Sequence, residues 1–170
     1  MVRAAEAVRD GAACAVVGAG NTGATMAAAL LRMGRVKGVT RPAIATPLPV
    51  PGLSKPNLLL DSGANAECTG DMLLQFGEMG AVYARDRFGV SLPRVGLLSI
   101  GEEAGKGSSL VKEAYELLSQ PEWQERSGGA FVGNVEGRDL LGNVADVIVT
   151  DGFTGNVALK TAEGAAKAIV

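Results

Sequence analysis

Five turns rich in glycine, asparagine and aspartate carry most of the residues that could do chemistry. The first, Gly18–Gly23, opens a helical pattern, so its free backbone amides and the positive end of the helix would point at a bound anion. We therefore predict phosphate binding by Gly20, Asn21, Thr22 and Gly23. The alternative is a tight turn with no ligand, because this glycine spacing alone is a weak signal.

The same turn has the GxGxxG spacing of a dinucleotide-binding fingerprint. That fingerprint requires an acidic residue about 20 positions later to hold the ribose hydroxyls. No acidic residue occurs between Asp10 and Asp61. A nicotinamide-dependent dehydrogenase therefore stays only an alternative.

The turn Gly101–Ser108 lies between a predicted strand and a predicted helix, as a nucleotide P-loop does. Its glycine spacing differs from that of a P-loop, and the carboxylates of Glu102 and Glu103 would repel a triphosphate. Nucleotide hydrolysis is therefore disfavoured. Lys106 could still act as a fixed cation, although a solvated lysine is the ordinary alternative.

The other three turns combine hydrogen-bond acceptors with amide donors. Aspartate and asparagine are common in turns because they bond their own backbone, so any one of them could be structural. Their recurrence after successive strands favours a shared binding site. The candidate substrate-binding residues in these turns are Asp61, Asn65, Asn134, Asp151 and Thr154.

Apolar runs before the turns predict five buried strands. Alternation of strands with helical patterns indicates an α/β fold with a mainly parallel sheet, and ligands bind such sheets beyond the carboxyl ends of the strands. The predicted strands are Ala13–Val17, Leu58–Leu60, Val95–Ile100, Ala130–Val132 and Val144–Thr150.

The segments between the strands differ in character. Thr22–Met33 is apolar on nearly every side, which predicts a helix buried against a sheet and a neighbour, with a subunit interface as one possibility. Ser109–Gln120 has a single apolar stripe and should cover one sheet face. The five prolines of Arg41–Pro56 favour an extended connection, with a possible edge strand at Ala43–Thr46.

Composition excludes several classes of function. The 170 residues fit a single α/β domain and include no histidine, so Ser-His, Cys-His and His-metal chemistry are excluded within this chain. The two cysteines are far apart and suggest neither a zinc site nor a disulfide. A net charge of −2 with scattered basic residues argues against nucleic-acid binding. The absence of a long apolar run or a leader pattern predicts a cytoplasmic location.

Several motifs in a fixed order carry a family resemblance. Ala19–Ala24, Arg41–Ala45, Leu60–Asn65 and Asp151–Thr161 resemble the acyl-ACP:phosphate acyltransferase family, and the last of these is highly specific. Ile100–Glu103 with Lys106-Gly107, and Gly133–Asp139, extend the resemblance over the whole chain.

The resemblance implies an α/β/α sandwich similar to phosphotransacetylase and isopropylmalate dehydrogenase. It implies transfer of a fatty acyl group from acyl carrier protein to inorganic phosphate, giving an acyl phosphate for phospholipid synthesis, without cofactor or metal. The expected enzyme is a homodimer that contacts the membrane peripherally. Lys106 and Asn156 match the positions implied as catalytic.

The chain also departs from the family pattern. Gly18 stands where the family more often has serine, which removes a hydroxyl donor but leaves the backbone amides. The family's amino-terminal Gly-Gly-Asp signature and its apolar carboxyl-terminal helices have no counterpart here. Both ends fall inside helical patterns, Val2–Val8 and Val157–Val170. We therefore expect the central portion of a longer protein, and a non-catalytic binding fragment of the same fold stays an alternative.

Overall fold

The computed structural model describes residues 1–169, which separate into two compact units. The first unit runs from Met1 to Pro42, and the second begins at Ala43 and contains the sheet. The prediction of a single domain over residues 1–170 stays a prediction.

The first unit contains two helices that pack on each other, α1 (Val2–Arg9) and α2 (Thr22–Met33). The bounds of α2 agree with the sequence prediction. The predicted strand Ala13–Val17 is wrong: this segment has no strand structure and is almost entirely exposed. Its first three residues are alanine, cysteine and alanine, and alanine is depleted in strands because it offers little side chain to pack.

The predicted burial of α2 against a sheet and a neighbour stays a prediction. Ala28 is its buried residue, whereas the side chain of Leu31 is 80% exposed. The apolar composition predicted the helix correctly.

The second unit is built on a five-stranded sheet with the order β1-β2-β5-β3-β4. The strands β2, β5, β3 and β4 run parallel to one another, and β1 pairs antiparallel with β2 at one edge of the sheet. This confirms the predicted mainly parallel α/β fold. The strands are β1 (Thr46–Leu48), β2 (Asn57–Leu60), β3 (Arg94–Leu98), β4 (Ala130–Val135) and β5 (Val147–Val149).

The predicted edge strand is present but lies further along the chain than Ala43–Thr46, and it includes Pro47. Proline lacks an amide donor, so an edge strand is where a sheet tolerates it. β4 also continues further than predicted, because Gly133 is accommodated within the strand with φ of 91° beside a shift in register to β3. Asn134 therefore lies in the strand and not in the following turn.

Helices cover both faces of the sheet. On one face, α3 (Gly70–Phe88), α4 (Ser109–Leu118) and α5 (Pro121–Ser127) enclose a core that includes Phe76 and Trp123. On the other face, Ala158 and Leu159 of α6 (Gly152–Ile169) pack on a second core. A short 3₁₀ helix (Gly137–Leu141) precedes β5.

Two helices differ from the sequence analysis in informative ways. α3 was not predicted, and α6 begins at Gly152, five residues before the predicted helical pattern that starts at Val157. Thr154 and Asn156 therefore lie in the first turns of a helix. Val170, the last residue of that pattern, lies outside the described residues. No helix within residues 1–169 is both long and apolar enough to cross a bilayer.

Candidate functional site at the carboxyl ends of the strands

The turn after β2 is organised by one buried carboxylate. Asp61 Oδ1 accepts hydrogen bonds from the backbone amides of Ile44, Gly63 and Ala64 at 3.0, 3.1 and 2.9 Å. Its Oδ2 accepts from the backbone and side-chain amides of Asn65, both at 2.8 Å. Five donors thus converge on a side chain with no exposed surface. This is a structural role, and direct substrate binding by Asp61 and Asn65 stays a prediction.

The start of α6 packs directly on this turn. A Cβ added to Gly155 would overlap the carbonyl oxygen of Asp61, and one added to Gly152 would lie 2.6 Å from the carbonyl oxygen of Asn65. That carbonyl accepts a hydrogen bond from the Gly152 amide at 2.7 Å. Glycine is therefore required at both positions by the close approach of two backbone segments.

Asp151 caps the first turn of α6. Its Oδ1 accepts from the Thr154 amide at 2.8 Å, and its Oδ2 accepts from the Thr154 hydroxyl at 2.7 Å. A carboxylate at this end of a helix satisfies an otherwise unpaired amide and interacts favourably with the helix dipole. Asp151 and Thr154 are thus brought together as a capping pair.

Asn156 lies over the backbone of the Asp61 turn. Its Nδ2 donates to the Ser62 carbonyl oxygen at 3.3 Å, and a Cβ on Gly63 would lie 2.9 Å from the same nitrogen. Gly63 has φ of 138°, so an alanine there would be both strained and crowded. The Asn156 side chain is exposed, which leaves part of its amide accessible to a ligand.

Lys106 is carried by the loop after β3. Its side chain is exposed and forms no ion pair with any residue in the described part of the chain. The Lys106 amide donates to the Glu103 carbonyl oxygen at 2.9 Å, and the same oxygen accepts from Asn134 Nδ2 at 2.9 Å. Asn134 therefore lies behind the loop and holds it.

A cavity of about 210 Å³ separates the starts of α4 and α6. Ser108, the residue that caps α4, lies on one side, and the capping pair of α6 lies on the other. Two positive helix ends thus face one cavity, an arrangement that favours an anion. Its polar lining comes from Ser99, Gly107, Ser108, Thr150, Asp151 and Thr154.

Ser99 also lines this cavity and was not predicted from the sequence. Its hydroxyl oxygen is buried without a hydrogen-bond partner among residues 1–169, and Asn134 Oδ1 is in the same state. The available signal was a polar residue at the end of the apolar run Val95–Ile100, where β3 reaches the ligand-binding edge of the sheet. A larger groove of about 530 Å³ lies along α3 and α5 but contains none of the predicted site residues.

The Gly18–Gly23 turn lies in the unit Met1–Pro42 and is exposed throughout. Asn21 caps α2 by accepting from the Ala24 amide at 2.9 Å. Because no strand precedes the turn, it lacks the strand–turn–helix context that a dinucleotide fingerprint requires. Phosphate binding by Gly20, Asn21, Thr22 and Gly23 stays a prediction.

The thiol of Cys68 lies beside the start of α6. Burial raises the pKa of its thiol to about 11, and the negative charges of Asp61 and Asp151 add to this effect against an opposing hydrogen bond from Gly152. The thiol donates to the Asn65 carbonyl oxygen at 3.5 Å. It is therefore protonated near neutral pH and is a poor nucleophile.

Comparison with known proteins links this geometry to a family. All 170 residues match the model of the family described as fatty acid synthesis protein. The chain is 58% identical to a phosphate acyltransferase of Elusimicrobium minutum and 54% identical to one of Pelotomaculum thermopropionicum, with 99% of the chain and 47% of the relative covered in each case. A phosphate acyltransferase of Listeria welshimeri is 51% identical, with 100% and 49% covered. The chain thus spans about half the length of these relatives.

Two solved structures share the fold. The EutD phosphotransacetylase from Staphylococcus aureus superposes with a TM-score of 0.71 at 21% identity, covering 98% of this chain and 55% of the other. A branched-chain phosphotransacylase from Enterococcus faecalis gives 0.63 at 19% identity, covering 94% and 62%. These likenesses confirm the predicted phosphotransacetylase-like fold.

Proposed function

The chain belongs to the fatty acid synthesis protein family, and from that premise we propose that it forms part of a phosphate acyltransferase. The proposed reaction moves a fatty acyl group from an acyl-carrier-protein thioester to inorganic phosphate. A phosphate oxygen attacks the thioester carbonyl carbon, the carbon–sulfur bond breaks, and the carrier thiolate leaves and takes a proton from solvent. The products are an acyl phosphate and the free carrier thiol.

The observation that carries this proposal is the cavity between the starts of α4 and α6. Its volume of about 210 Å³ is several times the roughly 30 Å³ that one water molecule occupies in the liquid. The Ser108 hydroxyl group and two helix ends supply a donor and positive potential for a phosphate ion. The Asp151 carboxylate is repulsive, but both its oxygens already accept hydrogen bonds within the α6 cap.

Catalysis in this proposal depends on placement of the two reactants and on stabilisation of the developing oxyanion. Lys106 follows β3 next to Gly107 in the cavity wall and supplies positive charge. Asn156 has an exposed amide anchored over the Asp61 turn and supplies a neutral donor. A protonated Cys68 fits a mechanism without an acyl-enzyme intermediate.

The proposed partners are acyl carrier protein, the fatty acyl chain, phosphate and a second copy of the protein. Leu31 and Met33 of α2 are 80% and 47% exposed, and an apolar surface of this kind favours a subunit interface. We propose a cytoplasmic enzyme with peripheral membrane contact, on the strength of the family resemblance.

The test compares Lys106→Ala and Asn156→Ala in the full-length protein. Losing one oxyanion donor lowers turnover about 100- to 1000-fold, and we expect losses of this size for both variants. Lys106→Arg should recover only part of the rate, because it keeps the charge but changes the donor geometry. Phosphate-dependent thioester consumption is followed together with hydroxylamine trapping of the acyl phosphate.

Lys112→Ala is the matched control, since Lys112 is an exposed lysine on the adjacent helix α4. Its turnover should equal that of the unmodified protein. Melting temperatures are measured on the same samples. Near-normal turnover in well-folded Lys106 and Asn156 variants would remove both residues from the catalytic machinery.

A further inference from the structure

The loop that carries Lys106 makes few hydrogen bonds of its own. Between Gly101 and Gly107, its internal backbone hydrogen bond in the described structure joins the Lys106 amide to the Glu103 carbonyl. The segment contains three glycines, and Gly107 has φ of 99°. Its conformation therefore depends on contacts from neighbouring elements.

Asn134 supplies the buried contact to this loop. It is 6% exposed and pairs with Leu97 in the register between β4 and β3, so its backbone is fixed within the sheet. Its Nδ2 donates to the same Glu103 carbonyl oxygen that accepts from the Lys106 amide. One oxygen atom thus joins a rigid strand to the backbone of Lys106.

The other half of the Asn134 amide argues against a purely stabilising role. Oδ1 is buried and has no partner within the described chain, and an unpaired buried acceptor is unfavourable. Reversing the amide would place Oδ1 against the Glu103 carbonyl oxygen, where the two acceptors would repel, so the donor is assigned to the loop. What asparagine contributes here is one donor, directed at Glu103.

We propose that Asn134 is a positioning residue that fixes Lys106 through the Glu103 carbonyl group and does not itself touch the substrate. This inference rests on the proposed function, because it presupposes that Lys106 acts in catalysis. It replaces the substrate-binding role that the sequence suggested for Asn134.

Arg138 provides a matched comparison, because its side chain also contacts this loop. It donates to Glu102 Oε1 at 2.9 Å, and both side chains are 67% exposed. Exposed ion pairs contribute little because water and salt screen them. The buried neutral bond from Asn134 should therefore position the loop more strongly than the exposed ion pair does.

The experiment is a double-mutant cycle in the full-length protein, with Asn134→Ala and Lys106→Ala made singly and together. Small misplacements of a catalytic group lower rates by up to about 100-fold, so we expect Asn134→Ala to lower kcat by roughly 10- to 100-fold. In the Lys106→Ala background the same change should alter kcat by less than about 2-fold, because there is no longer an amine to position. Arg138→Ala should stay near the unmodified kcat.

Two outcomes separate this inference from the proposed function. If Lys106→Ala lowers kcat but Asn134→Ala lowers it by the same factor in both backgrounds, the positioning role is wrong and the proposed function stands. If Lys106→Ala itself leaves kcat unchanged, the catalytic assignment of Lys106 is wrong, and the positioning role falls with it.

A measurement that does not depend on activity distinguishes the positioning role from misfolding. Hydrogen exchange at the Lys106 amide should be faster in Asn134→Ala than in Arg138→Ala, with the exchange of amides in β3 unchanged. Asn134→Asp, which keeps the side-chain volume but presents oxygen atoms to the Glu103 carbonyl, should resemble Asn134→Ala. Unchanged exchange at Lys106 in both Asn134 variants overturns the proposal.

Discussion

The starts of α2 and α6 are both glycine-rich helix starts, yet their glycines have different surroundings. At α6, Gly152 and Gly155 lie against the backbone of the Asp61 turn so closely that no side chain fits. At α2, a Cβ on Gly20 would meet only the end of the flexible Met1 side chain. The same local pattern therefore reflects obligatory packing in one place and a replaceable residue in the other.

The two helix starts differ because different structures precede the two helices. α6 follows β5, a strand inside the sheet, so its start must fit beside the turn that follows the neighbouring strand β2. α2 follows an exposed segment with no strand structure. Position after a central strand, rather than glycine content, decides whether such a turn is built into a site.

Replacing the glycines tests this comparison most severely. Gly155→Ala should lower the free energy of unfolding by about 3 kcal/mol or more, because its Cβ would overlap the Asp61 carbonyl oxygen and backbone must move. Gly20→Ala should change it by less than about 1 kcal/mol, since the Met1 side chain can turn away. Urea unfolding of the full-length protein measures both.

Gly164→Ala is the control within α6, because a Cβ at this exposed position would have no neighbouring atom within 4 Å among the described residues. It should raise stability by up to about 1 kcal/mol, the helix-propensity difference between alanine and glycine. Equal effects of Gly155→Ala and Gly20→Ala would contradict the distinction between the two helix starts.

Replacing the polar side chain that organises each turn should likewise lower stability more beside α6 than at α2. Asp61→Asn places a donor at a fully buried position and leaves partly buried amides without an acceptor, so we expect a loss of about 3 kcal/mol. Asn21→Ala removes one exposed capping bond and should lower stability by about 1 kcal/mol. Thermal unfolding at matched pH compares the two, and an equal loss in both would mean that burial does not set the difference.

Much of the site was predictable because it follows from local pattern. Apolar runs located β2, β3 and β5, and the polar residues after them identified Asp61 and Asp151 at one edge of the sheet. The pattern could not show that Asp61 is enclosed by five donors, since one of these, the Ile44 amide, comes from a segment 17 residues earlier.

Other features were not predicted, because they depend on glycines that are required by packing between elements distant in the sequence. α3 was missed although Thr69 caps it, because Gly77 and Gly80 interrupt the helical pattern. A Cβ on Gly77 would lie 3.1 Å from Trp123, and one on Gly80 would overlap Val147, so both glycines let the helix approach its neighbours. Likewise, Asn134 was assigned to a turn because Gly133 was interpreted as the end of a strand.

The two cysteines give the mildest test of the comparison, because labelling one need not change the fold. Cys14 lies in the exposed segment before α2, whereas Cys68 is half-buried beside the packed start of α6. Burial favours the neutral thiol and so raises the pKa of Cys68 to about 11, against about 8.5 for an ordinary cysteine. At pH 8 the native Cys68 should react with iodoacetamide roughly 200-fold more slowly than the same residue in the denatured protein, because only the thiolate attacks. Its rate should rise about tenfold for each pH unit up to pH 10, whereas labelling of Cys14 should be complete first. Peptide mass spectrometry quantifies each site.

Asp61→Asn should speed labelling of Cys68, because it removes a neighbouring negative charge and loosens the turn. An equal labelling rate for native and denatured Cys68 at pH 8 would show that the start of α6 is no better packed than that of α2.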